Sequence, residues 1–259
     1  MLSSFYLFRR KIGAFAPKRK LSSREWKDFW TGLEPVSAGW PLVRLGGKSD
    51  GGYLVPDDLV GVMGCISPGV SNMVDFELDL ARLGITSIMY DASIETIPLQ
   101  HSNFRFRKSF IGSNMHADYL PLKSTLEEFP NSSEATLLLQ MDIEGCEVSA
   151  LHSLNIDDLE KFRVLIIEFH RLQDWITRSY FENFIEPLFN VLLQKFDIVH
   201  VHPNNCDGEF FVGKSFFPRA LEITFHHKSR GKSARTKVGL PHKLDCPNSG
   251  DVPDVHLKF

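Results

Sequence analysis

The sequence predicts an α/β fold built on a doubly wound, Rossmann-like, mostly parallel sheet. Three observations carry this. Short apolar runs alternate with helical patterns along most of the chain, several runs are apolar at nearly every position, and polar or ionisable groups follow the ends of the runs. A strand covered by helices on both faces needs that near-continuous apolar character.

The elements follow in order. In KLSSREWKDFWTGL (20–33), Ser22 or Ser23 precedes Trp26, Phe29, Trp30 and Leu33, which fall three and four apart as on one helical face. This predicts a short amphipathic helix outside the core, in an N-terminal extension over residues 1–40. GGKSDGGYLVPDDL then sets four glycines and an Asp-Gly pair between Gly46 and Gly52, a backbone that turns tightly or approaches a ligand, followed by a short strand. VGVMGCIS (60–67) is the first core strand, and VDFELDLARLG (74–84) is a helix that turns Phe76, Leu80 and Leu83 inward and ends at Gly84. ITSIMYD (85–91), RFRKSFIG (105–112), ATLLLQMD (135–142), FRVLIIEFH (162–170) and FDIVHVH (196–202) are the next five strands, with a long helical pattern through Tyr180, Phe184, Leu188 and Leu192 before the last of them. PRALEITFHHK (218–228) reads as a final, antiparallel strand. The main domain is therefore expected over 41–228. Residues 229–259 lack periodicity and are expected to form a poorly ordered tail.

Bulk properties narrow the function. At 259 residues, 43% hydrophobic and 24% charged, the chain can bury one sizeable core. A formal charge of −3 gives no global attraction to nucleic acid or anionic lipid, so no nucleic-acid partner is expected. Basic residues cluster only locally, at Arg9, Arg10, Lys11, Lys18, Arg19 and Lys20 and again between Lys228 and Lys237, as solvated segments do. Cys65, Cys146, Cys206 and Cys246 form no C-x-x-C pair, which argues against a zinc ribbon or disulfide framework and makes a reducing, cytoplasmic compartment the default expectation. No stretch approaches membrane-spanning length.

The residues that could carry chemistry stand at strand ends, where open α/β sheets bind ligands. Ser67-Pro68-Gly69-Val70-Ser71 forms a turn between the first strand and its helix, with one glycine where a dinucleotide fingerprint has three. That suits a cofactor without phosphates. Asp91 ends the second strand about twenty residues on, where a carboxylate accepts hydrogen bonds from ribose. The fourth strand runs into Gln140-Met141-Asp142-Ile143-Glu144-Gly145-Cys146-Glu147, the fifth ends in Glu168 and His170, and the sixth in His200, His202, Asn204 and Asn205. Burying such carboxylates is costly unless a ligand, metal or donor meets them. Asp50, Gly52 and Tyr53 in the glycine-rich loop either cover a cofactor or simply form a turn packed on the core.

GGKSDGGY, SPGV with FELDLARLG, YDASIE, MDIEGCE, IIEFH, VHPNN and PRALEITF, in that order over residues 44–226, resemble the FkbM-type methyltransferases. The resemblance implies a class I methyltransferase fold of seven strands with the last antiparallel, and S-adenosylmethionine as methyl donor. It places Ser67, Gly69 and Val70 at the glycine turn and Asp91 at the ribose position. The single glycine of SPGVS departs from the usual acidic-x-G-x-G-x-G form.

Such an enzyme would methylate an oxygen of a small-molecule or glycan substrate, and that oxygen must lose its proton. Asp142 and Glu168 stand where catechol-type O-methyltransferases place oxygen ligands, and hard carboxylates suit Mg²⁺, with His202 completing the set. Without a metal, His170 or His202 is the expected base, oriented by Glu168 or Glu144. A nicotinamide-dependent oxidoreductase shares the strand, turn and strand-end Asp but leaves DIEG unexplained. A noncatalytic module with the same fold leaves the carboxylate and histidine set without a role.

Overall fold

The computed structural model describes residues 19–113 and 118–259. Of the N-terminal basic cluster, Arg9, Arg10, Lys11 and Lys18 lie outside the described residues.

Helix α1 (Ser23–Thr31) starts on a capping box, Ser22 accepting from the Glu25 amide while the Glu25 carboxylate accepts from the Ser22 amide. A hairpin follows, β1 (Leu42–Leu45) and β2 (Tyr53–Pro56), whose loop holds the clustered glycines. Strand β3 (Gly64–Pro68), helix α2 (Asp75–Arg82) and strand β4 (Thr86–Tyr90) form the first parallel unit. Then come β5 (Phe104–Arg107), β6 (Leu137–Met141), helix α3 (Glu147–Leu151) and β7 (Phe162–Phe169). Helix α4 (Glu186–Lys195) leads into β8 (Phe196–Pro203), a hairpin of β9 (Glu209–Val212) and β10 (Ser215–Pro218), and finally β11 (Leu221–His227).

Seven strands make the central sheet in the order β8-β11-β7-β6-β3-β4-β5. Neighbours from β7 to β5 are parallel, and β11 runs antiparallel between β7 and β8. This is the mostly parallel, Rossmann-like sheet expected from the sequence. Each of the six parallel strands points its carboxyl end to the same edge. On β7 the faces alternate, Leu165, Ile167 and Phe169 packing into the larger core and Val164 and Ile166 into the smaller core under the β1–β2 hairpin.

Four expectations need correction. Helix α1 is not outside the core: Trp26, Trp30 and Leu33 are buried in the largest cluster, and Trp26 meets Phe210 and Phe217 of the β9–β10 hairpin edge-on. Its apolar periodicity revealed a buried face, not the partner that covers it. Leu83 is exposed because α2 ends at Arg82, and Glu77 and Ala81 take the buried positions beside Phe76 and Leu80. RFRKSFIG is not one strand: the Ser109 amide turns back to the Arg107 carbonyl at 2.8 Å, and Phe110–Ile111 pairs with Tyr119–Leu120 outside the main sheet. The C-terminal segment, expected to be poorly ordered, lies against the sheet. Asn205 Nδ2 donates to the Ser249 and Val252 carbonyls at 2.8 and 2.9 Å, Asp245 pairs with His200 at 2.9 Å, and the Phe259 ring stacks on Trp30. Such contacts have no sequence period, so periodicity could not reveal them. Among the described residues no helix is long and apolar enough to cross a membrane.

Candidate functional site

The sheet face beneath the β1–β2 hairpin changes character along its strands. Cys65, Leu138, Val164 and Ile166 are apolar and buried, and the next residues on that face toward the carboxyl edge are Ser67, Gln140 and Glu168. Beyond that edge lies a cavity of about 480 Å³, within the usual range for small-ligand sites. Asp50, Tyr53, Gly69, Val70, Asp91, Asp142 and Glu144 all line it. Gly52, Ser67, Glu168, His170 and His202 do not.

The turn after β3 forms one wall. Gly69 has φ +89°, and its amide donates to the Tyr90 carbonyl at 2.9 Å. Its α-carbon lies so near the end of β6 that a Cβ would stand 1.5 Å from the Asp142 carbonyl oxygen. Asp91, nearly buried, accepts from the Ser71 amide at 2.8 Å and from the Ser93 amide and hydroxyl at 2.8 and 2.6 Å. A carboxylate has about four acceptor positions, so about one remains for a ligand hydroxyl. Gly52 belongs to the hairpin turn, where a Cβ would stand 2.1 Å from the Gly47 carbonyl oxygen.

Ser67 sits behind the wall in a buried chain of polar groups. Burial raises the Glu77 carboxyl from its ordinary 4.5 to about 7. The protonated carboxyl can then donate to the Ser67 hydroxyl beside it, Ser67 donates to Gln140 Oε1 at 2.7 Å, and Gln140 Nε2 donates to the Tyr53 hydroxyl at 3.1 Å. Because the folded state holds this proton more tightly than the unfolded chain, Glu77 stabilises most below pH 4.5, and that contribution is lost as pH rises through about 7. Between pH 5 and 8 the native protein is expected to lose up to about 3 kcal/mol relative to Glu77→Gln, read from parallel urea melts. Equal pH slopes for the two proteins would refute this role.

The second wall leads into an acidic cluster around His170. The His170 Nδ1–H donates to Glu147 Oε1 at 3.0 Å, and Nε2 lies 3.4 Å from Glu168 Oε1 and 3.7 Å from both Asp142 Oδ1 and Glu144 Oε2. Glu147 Oε1 is itself fixed by the Gly145 and Ile143 amides at 2.9 and 3.3 Å. The local sequence explains this, since Glu144 and Gly145 both take positive φ and so turn the two amides toward the first residue of α3. Burial opposes a charged His170, but the bond to Glu147 and the surrounding carboxylates outweigh it and raise the imidazole to about 10. Burial pushes Asp142 up to about 7 and Glu168 well above the usual carboxylate range. Asp142, Glu147 and His170 offer donor atoms within 4.8 Å of one another, a spacing that could hold a metal ion.

His202 joins this cluster only indirectly. Glu168, Glu222 and His202 lie opposite one another across β7, β11 and β8, with His202 Nδ1 3.8 Å from Glu222 Oε1. Burial disfavours the charged ring, yet Glu222 raises its pKa. Neither histidine is among the residues that line the cavity. Sequence reasoning also passed over several residues that build the site. Glu147 was visible in DIEGCE, but its orienting role depends on the turn. Glu77 and Glu222 stand within elements rather than at strand ends, and Gln140, although in the run that ends the fourth strand, carries no sign in the sequence of its partners Ser67 and Tyr53. Asn248, which donates to Glu222 at 2.8 Å and to Asp50 at 3.2 Å, comes from the C-terminal segment, which has no sequence period. Compared with known proteins, the chain matches no family model and no curated protein.

Proposed function

We propose that this protein is an S-adenosylmethionine-dependent methyltransferase that transfers a methyl group to a hydroxyl oxygen of a sugar, glycan or secondary metabolite. The observation that carries this reading is the cavity joining the Gly69 turn to Asp91 at adjacent strand ends. Its chemistry favours this cofactor over a nicotinamide dinucleotide. Among the described residues the lining includes the carboxylates Asp50, Asp91 and Glu144 but no lysine or arginine, which suits a ligand bearing sulfonium and ammonium charges and suits a pyrophosphate poorly.

When bound, S-adenosylmethionine supplies an electrophilic methyl group for in-line displacement. The protein's part is positioning and proton removal. Gly69 admits the backbone close to the ligand, and Asp91 has about one acceptor position left for a ribose hydroxyl. Val70, Ile111 and Ile143 give the cavity an apolar stretch of wall. Asp142 is the member of the buried cluster on the cavity wall, so it is the group assigned to accept the hydroxyl proton.

Calorimetric titration with S-adenosylmethionine, S-adenosylhomocysteine and NAD tests the reading. The first two are expected to bind and NAD to fail. Asp91→Asn should weaken S-adenosylmethionine about 10- to 100-fold, the value of a hydrogen bond to a charged acceptor. NAD binding without S-adenosylmethionine binding would move the protein to the oxidoreductase class.

A further inference from the structure

The cluster behind the cavity wall combines one imidazole nitrogen with several carboxylate oxygens, and hydrogen bonding accounts for only part of it. Asp142 Oδ1 and Glu168 Oε2 are both buried with no hydrogen-bond partner among the described residues. Glu168 is the more telling, because its side chain is only 1% exposed and its other oxygen, which accepts from Asn204 Nδ2 at 2.7 Å, lies 3.4 Å from His170 Nε2. Leaving a buried carboxylate oxygen without a partner costs free energy. Among the described residues the ion pairs of Asp142, Glu147, Glu168 and Glu222 are all with histidine, so no lysine or arginine balances their charge.

We propose that His170 Nε2, Asp142 and Glu168 bind a divalent first-row transition-metal cation, of the Mn²⁺ or Zn²⁺ kind. The spacing fits. Ligands at about 2.0–2.2 Å from such an ion stand roughly 3.0–3.6 Å apart, and Nε2 lies 3.4 Å from Glu168 and 3.7 Å from Asp142. Glu147 is the orienting group rather than a fourth ligand. Its Oε1 already accepts the His170 Nδ1–H and two backbone amides, and a carboxylate on the far ring nitrogen is the usual support for a metal-binding histidine. The nitrogen donor is what selects a transition metal, since Mg²⁺ and Ca²⁺ favour all-oxygen shells. Glu144 Oε2, 3.7 Å from Nε2 on an 87% exposed side chain, lies at the open side of the site toward the cavity.

This site shares Asp142 with the methyltransferase reading, but its test uses no turnover and so can fail separately from that reading. Full-length protein is dialysed against chelator and titrated with Mn²⁺, Zn²⁺ and Mg²⁺ by calorimetry, with Co²⁺ absorption as a spectroscopic probe of a nitrogen ligand. One equivalent of Mn²⁺ or Zn²⁺ is expected to bind more tightly than Mg²⁺ and to raise the melting temperature. Asp142→Asn and His170→Gln should each abolish the single site, and Glu147→Gln should weaken it about 10- to 100-fold. Circular dichroism establishes that each variant is folded. The wild-type titration decides the matter even if a variant is not. No binding of any ion by the native protein, Mg²⁺ binding tightest, or binding unchanged in folded Asp142→Asn would each overturn the proposal. Loss of S-adenosylmethionine binding with the metal site intact would instead count against the functional reading alone.

Discussion

Trp26→Ala is expected to destabilise the protein by about 3–5 kcal/mol, the range for removing a large aromatic side chain from a core. The Trp26 side chain is fully buried, and its ring meets Phe29, Trp30, Phe210 and Phe217 at centroid distances of 5.6–6.2 Å. A chain of this size would lose roughly 6–20 °C in Tm. Trp26→Phe should cost much less, because the ring contacts survive and the indole N–H has no hydrogen-bond partner among the described residues. Were α1 an appendage, the alanine variant would fall within the roughly 0.5 kcal/mol typical of surface substitutions. A loss below about 1 kcal/mol in a urea melt would therefore remove α1 from the core.

The sheet was legible because its signal is local. Most of the six parallel strands carry apolar runs, the FRFR edge strand β5 being the exception, and the turn residues between them, Gly69 and Gly84 among them, take the positive φ that favours glycine. The antiparallel last strand was legible as a run but not as an insertion between β7 and β8, since pairing partners leave no period in a single chain. The same limit explains the β1–β2 hairpin, read only as a loop and a short strand. Its first strand is mostly half-buried and lacks a strong alternation.

The site was legible where chemistry coincides with strand ends. Asp91, Asp142, Glu168 and His170 were found that way, and three of them gather in the cluster. What could not be read is which groups face the cavity. Glu168 and His170 stand one strand away from the cavity that Asp142 lines, and His202 two strands beyond Glu168 through Glu222. Side-chain direction decides this, and a one-residue change in register would reverse it.

Gly69→Ala is expected to disrupt both the fold and cofactor binding, because two separate costs fall on one methyl group. The first is conformational: φ +89° lies in the region that L-residues avoid, at about 1–2 kcal/mol. The second is contact. The added Cβ would stand 1.5 Å from the Asp142 carbonyl oxygen and 2.6 Å from its carbon, and backbone atoms cannot rotate aside. The turn must therefore move away from β6, breaking the Asp142 amide's 3.1 Å bond to the Pro68 carbonyl and opening the wall between Asp142 and Asp91. Gly84→Ala separates the two costs, since Gly84 has φ +80° but nothing within 4 Å of its would-be Cβ. That control should lose only about 1–2 kcal/mol, whereas Gly69→Ala should lose more than about 4 kcal/mol, a size reserved for a specific structural failure. S-adenosylmethionine affinity should survive in Gly84→Ala and vanish in Gly69→Ala. Equal stability losses in the two variants would show that the Gly69 turn does not rest on the end of β6, and the cavity wall would need a different construction.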